Sequence, residues 1–212
     1  MATDISNICT AVKKIAWGFF LVLIAINIGT IDILPDWAGY ILMVSALPVL
    51  ATQEESANLL RPFGIILVVW NMVVWVLKIF SLNGYISYIS VIPAAVGMYF
   101  TFQLLTNLAT IAEKYSCPQN KALIRLRTFN VIFTVISTLL IYMGFLDAEI
   151  EIVSALTIGL SVVAVILIVA MLITLFSFSK SLQEKEEQLN EQLQLTANQE
   201  VSQLPQEDNQ SE

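Results

Sequence analysis

Residues 152–178 read IVSALTIGLSVVAVILIVAMLITLFSF, a run without one charged side chain. It exceeds the about 20 apolar residues that carry a helix across the hydrocarbon core of a bilayer. Working outward from it, five further apolar runs appear at about 15–31, 37–51, 62–80, 88–112 and 126–145, their only charges Lys78 and Arg127 near the run ends. The whole chain has 212 residues, 57% of them hydrophobic and only 13% charged, with mean hydropathy +0.77. A soluble domain carries about 25% charged residues to keep its surface wet. Lipid is the solvent that accommodates the difference. The sequence therefore predicts an all-α polytopic membrane protein, a bundle of six transmembrane helices.

The connections carry helix punctuation. Asp36 is placed to cap the second span, and Pro62 suits the first turn of the third. Asn83-Gly84 is a turn signal, and Ser116-Cys117-Pro118 breaks the chain before the fifth span. The second run is short and carries Pro48, so a re-entrant hairpin is its competing reading. Basic residues decide between them. With six crossings and the N-terminus inside, Lys13, Lys14, Arg61, Lys114, Lys121, Arg125, Arg127, Lys180 and Lys185 are all cytoplasmic, and only Lys78 lies outside. Aromatic residues agree, with Trp37, Tyr85, Tyr88 and Tyr142 at the outer boundary and Trp17 and Tyr115 near the inner one.

This divides the chain into a cytoplasmic N-terminus at 1–12, a transmembrane domain at 13–178 and a polar cytoplasmic tail at 179–212. Leu175, Phe178, Leu182 and Leu189 have heptad-like spacing, which extends the sixth helix beyond the membrane before a disordered tail from about Thr196. The first run lacks the small-residue cleavage site of a secretory signal and reads as an uncleaved span.

Composition excludes several functions. Net charge is −7, and nothing resembles the basic stripe of a nucleic-acid binder. There is no histidine, which removes the commonest general base and metal ligand together. Cys9 and Cys117 are far apart, and two cysteines without histidine make a poor zinc site, so neither metal nor cofactor is expected. No catalytic motif is present and every acid or base lies at or beyond a span end, so the chain does not read as an enzyme.

What the spans hold is neutral polarity. Asn71 and Trp75 share a face of the third span with Lys78, Gln103 and Asn107 are an i, i+4 pair in the fourth, and Asn130, Thr134, Ser137 and Thr138 stripe the fifth. Ser154, Thr157 and Ser161 continue the pattern on the sixth. Such stripes either pack helices or line a polar cavity, and packing is the commoner use. On the outer side, Asp32, Asp36, Asp147, Glu149 and Glu151 form an acidic rim, able to attract a cation but adequately explained by solvation.

The stretch from Asn27-Ile28-Gly29 through Ile33-Leu34-Pro35-Asp36-Trp37-Ala38-Gly39-Tyr40 resembles small multi-span membrane proteins of Gram-positive bacteria, in which Pro-Asp-aromatic-x-Gly-Tyr opens the second span. The resemblance implies a bacterial plasma membrane and no particular activity. Size and span number are also similar to the substrate-capturing subunits of energy-coupling vitamin transporters, but Ile15-Ala16-Trp17-Gly18-Phe19-Phe20 departs from their alanine-rich docking pattern. The expectation is thus a non-catalytic multi-pass protein, its partners the bilayer and a protein bound through the cytoplasmic tail. The alternative is a small-solute transporter or a membrane substrate-binding subunit, its ligand unspecified.

Overall fold

The computed structural model of the chain describes residues 2–23, 27–28, 31–32, 35–80, 91–142 and 151–203. Six helices make up nearly all of them: α1 Ala2–Leu23, α2 Asp36–Ala51, α3 Arg61–Ile79, α4 Val91–Lys114, α5 Asn120–Tyr142 and α6 Glu151–Gln203. A 3₁₀ segment, Glu55–Leu60, joins α2 to α3. Between α1 and α2 the dipeptides β1 Asn27–Ile28 and β2 Ile31–Asp32 pair antiparallel, Asn27 opposite Asp32. Among the described residues, five helical stretches are long and apolar enough to cross a membrane, and only α2, with 16 residues, falls short. This is the make-up of a membrane-embedded helical protein.

Each helix packs on the next in chain order, and α6 returns to α1, closing a ring. One end of the ring, where α2 turns into α3 and α4 into α5, carries Arg61, Lys114, Lys121, Arg125, Arg127, Lys180 and Lys185. We call it the basic end. The core is concentrated there. Fully buried side chains include Ile8, Val12 and Ile15 of α1, Met43, Leu47 and Leu50 of α2, Leu104, Leu105 and Leu108 of α4, and Leu175, Phe178 and Leu182 of α6. Toward the opposite end burial thins out. Among the described side chains, Leu123 is the only fully buried one of α5, and on α6 burial begins at Met171.

Three expectations are corrected by this packing. The first helix does not start near residue 15 and run to 31. It starts at Ala2, its described part stops at Leu23, and Asn27–Ile28 belongs to the strand pair. Residues 2–12 are helical because Ile5, Ile8, Val12, Ile15 and Phe19 repeat at alternating three- and four-residue steps, and that stripe is buried. Next, the tail expected to be disordered from about Thr196 is still helical there, and α6 continues to Gln203. The heptad positions Leu175, Phe178 and Leu182 are completely buried, in one cluster with the α1 stripe. α1 and α6 run antiparallel there, Cys9 meeting Ser179 and Trp17 meeting Phe176. The coiled coil read in the sequence is therefore largely satisfied within the chain. Finally, Asp36 does not cap α2. Pro35 holds the cap position in extended geometry, and its carbonyl accepts from Ala38 N–H at 2.9 Å. Asp36 begins the helix, where a carboxylate still favours the positive end of the helix dipole.

Pro62 lies in the first turn of α3, as read, and α5 begins at Asn120 rather than near 126. Asn83, Gly84, Tyr85, Tyr88, Asp147 and Glu149 lie outside the described residues.

Glycine sets the closest helix contact. A Cβ on Gly39 of α2 would stand 2.5 Å from the Gly18 carbonyl oxygen, and one on Gly18 of α1 would stand 2.7 Å from the Gly39 carbonyl. Both obstacles are backbone and cannot rotate away. Gly159 on α6 meets nothing within 4 Å. Gly39→Ala should therefore lower stability by about 1–3 kcal/mol through overpacking. Gly159→Ala should be neutral or raise it by about 0.5–1 kcal/mol, since Ala is the better helix former. Thermal melts of the two variants in detergent check the contrast.

Candidate functional site

The residues singled out in the spans do not converge on one site. Gln103 and Asn107 do come together, because four residues along α4 bring them to one face. Asn107 is 1% exposed, and its carboxamide stands 2.9 Å from both the Gln103 side chain and Ser56 Oγ of the 3₁₀ segment. With the Asn107 oxygen turned to Ala57 N–H at 3.2 Å, its nitrogen donates to the Gln103 carbonyl at 3.2 Å and to Ser56 Oγ at 2.9 Å. We assign that orientation because it sets a donor against an acceptor at each of these three contacts. Ser56 also donates to Glu54 Oε1 at 3.0 Å. Asn107 thus pins the α2–α3 connection onto α4.

The remaining residues are dispersed. Asn71 donates to the Leu67 carbonyl of its own helix at 2.8 Å, and Trp75 stacks edge-on with Trp37, ring centroids 6.2 Å apart. Asn130 is half-buried on α5. Thr134 and Thr138 line an open apolar groove of about 170 Å³ between α5 and α4, with Ala94, Ala95 and Met98 opposite. Ser137, on the same stretch of α5, has a buried hydroxyl without a hydrogen-bond partner. On α6, Ser161 donates to the Thr157 carbonyl at 2.9 Å. Asn71, Gln103, Asn107 and Asn130 line neither this groove nor the larger cleft described next. Of the acidic rim, Asp32 lies in β2, Asp36 begins α2 and Glu151 begins α6.

The richer polar geometry lies at the basic end, on residues that span-centred reading passed over. α4 ends in a turn where Ser116 takes φ +52°, Cys117 N–H reaches the Ala112 carbonyl at 2.7 Å and Ser116 N–H reaches Glu113 at 2.9 Å. This left-handed cap normally favours glycine. It presents Lys114 and Tyr115 side by side, and Lys114 Nζ and the Tyr115 hydroxyl both donate to Gln53 Oε1, at 2.9 and 3.1 Å. Next to it, Gln119 donates to Ser177 Oγ and Ser181 Oγ of α6, each at 2.9 Å. Arg127 of α5 donates to Thr106 Oγ1 at 3.1 Å and lies over the Phe102 ring, 4.8 Å from its centroid. A cleft of about 650 Å³ opens beside Gln53, Lys114 and Tyr115, and the extension of α6 forms its other wall. The sequence signal was the density of Gln and Lys outside the apolar runs, which carries no spacing rule.

Burial raises the Tyr115 hydroxyl above its ordinary range, and the Asp4 charge pushes the same way. Burial also pushes the Cys117 thiol up, partly offset by Lys185. Among the described residues, no three His, Cys, Asp or Glu side chains stand together as metal ligands.

Two outcomes follow. Asn107→Leu strands Ser56 and Ala57 N–H in a buried setting and should cost about 1–3 kcal/mol, while Asn71→Leu, whose amide serves only its own helix, should cost less than 1 kcal/mol. Melting midpoints of the two variants check the order. With pH, a raised folded-state pKa means the folded protein holds its proton longer than the unfolded chain. The stability from neutral Cys117 and Tyr115 is then present at neutral pH and lost as pH rises past the ordinary thiol value of about 8.5 and on through the ordinary tyrosine value of about 10. The melting temperature should fall over that alkaline range, and Cys117→Ser should lessen the fall at its lower edge. No protein-family model, curated protein or solved structure matches the chain, so its functional reading rests on its own residues.

Proposed function

We propose that this is a non-catalytic, multi-pass protein of a bacterial plasma membrane that acts through a protein partner engaged by the projecting end of α6. One observation carries the reading. Among the described side chains of α6, the last fully buried is Leu182 and Leu189 is partly buried, yet the helix continues to Gln203. At 1.5 Å per residue, about 20 Å of helix extends past Leu189. Leu193 and Leu195 on that segment are 55% and 64% exposed. Apolar residues on a polar helix outside the bilayer suit a surface supplied by another chain.

Six crossings with both termini cytoplasmic fit this reading. Of the ten basic residues, only Lys78 lies toward the opposite end, and an excess of Lys and Arg favours the cytoplasmic side. α2, at about 24 Å, is shorter than a hydrocarbon core of about 30 Å. Because α1 and α2 form an antiparallel pair, the chain returns to the basic end however deeply they reach. The assignment of the basic end to the cytoplasm therefore does not hang on α2. The bacterial membrane rests on the resemblance at Pro35–Tyr40.

The solute-transporter alternative needs the span polar groups to be available to a solute. Asn71 and Asn107 are instead bonded within the protein, and the Gln103 side chain is packed 2.9 Å from the Asn107 carboxamide. A photo-crosslinker at position 193 or 195 should give a discrete protein adduct in native membranes, and one at lipid-exposed Ile173 should not. Leu195→Ser should weaken the adduct formed from position 193 and leave the melting temperature unchanged, since Leu195 is exposed. Absence of adducts, together with a metabolite-induced melting shift lost in Gln103→Ala, would favour the solute reading.

A further inference from the structure

The cleft at the basic end has the size and chemistry of a ligand site. Its volume, about 650 Å³, falls within the roughly 300–1,000 Å³ of small-molecule sites. Lys114 and Tyr115 stand on its α4 wall, Lys185 on its α6 wall, and Asp4 at the start of α1. Ile5 and Leu189 supply apolar surface between them. An ammonium group carries three donors, and the bond from Lys114 to Gln53 uses one and holds the group in place against a neutral partner. Gln188 and Gln192 add amides from α6, so the lining offers two cations against one acid, with donors on both walls.

Depth separates a soluble ligand from a lipid headgroup. Trp17, 51% exposed, packs edge-on with Phe176 at 5.8 Å, an aromatic pair suited to the membrane interface. From Phe176, α6 descends about 13 Å to Lys185 and about 24 Å to Gln192. The headgroup layer is only about 5–7 Å thick on each side of the hydrocarbon core. The α6 wall thus lies beyond it, in water.

We propose that this cleft binds a small soluble anion bearing phosphate or carboxylate groups, held between the ammonium groups of Lys114 and Lys185. Such a ligand bridges the end of α4 to the root of the projecting helix, so occupancy fixes the direction in which α6 leaves the body. The site does not depend on the partner reading, and failure of crosslinking at 193 and 195 leaves it standing.

The test is calorimetric titration of the full chain, in phosphatidylcholine nanodiscs at constant ionic strength, with inorganic pyrophosphate and with citrate. Saturable binding of at least one anion is expected. Lys114→Gln and Lys185→Gln should each weaken it roughly tenfold, the loss of one charge-assisted hydrogen bond. Both side chains are exposed, so the ligand-free melting temperature should stay unchanged. Asp4→Asn should tighten binding by removing the opposing charge. In a second arm, phosphatidylglycerol replaces part of the lipid with no soluble anion added. A melting shift there that the lysine substitutions abolish, without pyrophosphate or citrate binding, assigns the lysines to lipid and overturns the proposal. No saturable binding of either anion, or binding indifferent to both lysines, overturns it equally.

Discussion

The burial of α1 between α2 and α6 is the contact on which the rest of the bundle depends. The stripe Ile5, Ile8, Val12, Ile15 and Phe19 lies in one buried cluster with Met43, Leu47 and Leu50 of α2 and with Leu175, Phe178 and Leu182 of α6. These are the first and last helices, so their contact closes the ring. It also fixes where α6 leaves the body. The glycine crossing at Gly18 and Gly39 lets α1 and α2 approach to backbone contact, which only residues without a Cβ permit.

The concentration of packing at one end has a physical reason. Within hydrocarbon, lipid tails solvate apolar side chains as well as another helix does, so helices there associate through small residues and polar bonds. Outside it, water drives apolar surface together at roughly 25 cal/mol per Å². In the proposed orientation the basic end lies partly in water. The α1 start, the 3₁₀ segment and the α6 extension can then form a core of the soluble kind. Asn107 ties that core to α4 by bonding to the segment between α2 and α3. Toward the opposite end, α5 and α6 present Ile132, Leu139, Ile158 and Ile166 outward, as helices facing lipid do.

Much of this architecture was legible in the sequence, because hydrocarbon imposes a length and purity on helices that no other solvent does. The central stretches of all six helices were located by that rule, and the turn at Pro62 by proline's missing N–H. The first helix was misread for the same reason. Lys13 and Lys14 interrupt its apolar run, so span counting began after them and left Ile5, Ile8 and Val12 as a terminus. Their three-and-four spacing was visible, but it marks an amphipathic helix packed in water, a different pattern from a charge-free run. The heptad positions of α6 were recognised without their partner, which was that same overlooked stripe. The cleft was not legible. Gln53, Lys114 and Lys185 are far apart in the chain, and only the ring topology brings their elements together.

The central claim is that the basic end holds the bundle while the opposite end is loosely packed. Distance distributions between paired spin labels in nanodiscs test it most directly. One pair at exposed positions 59 and 184 reports the basic end, and another at 139 and 158 reports α5 against α6 toward the opposite end. The account predicts a narrow distribution for the first pair and a distinctly broader one for the second. Equally narrow distributions at both ends, or the broader one at the basic end, would contradict it.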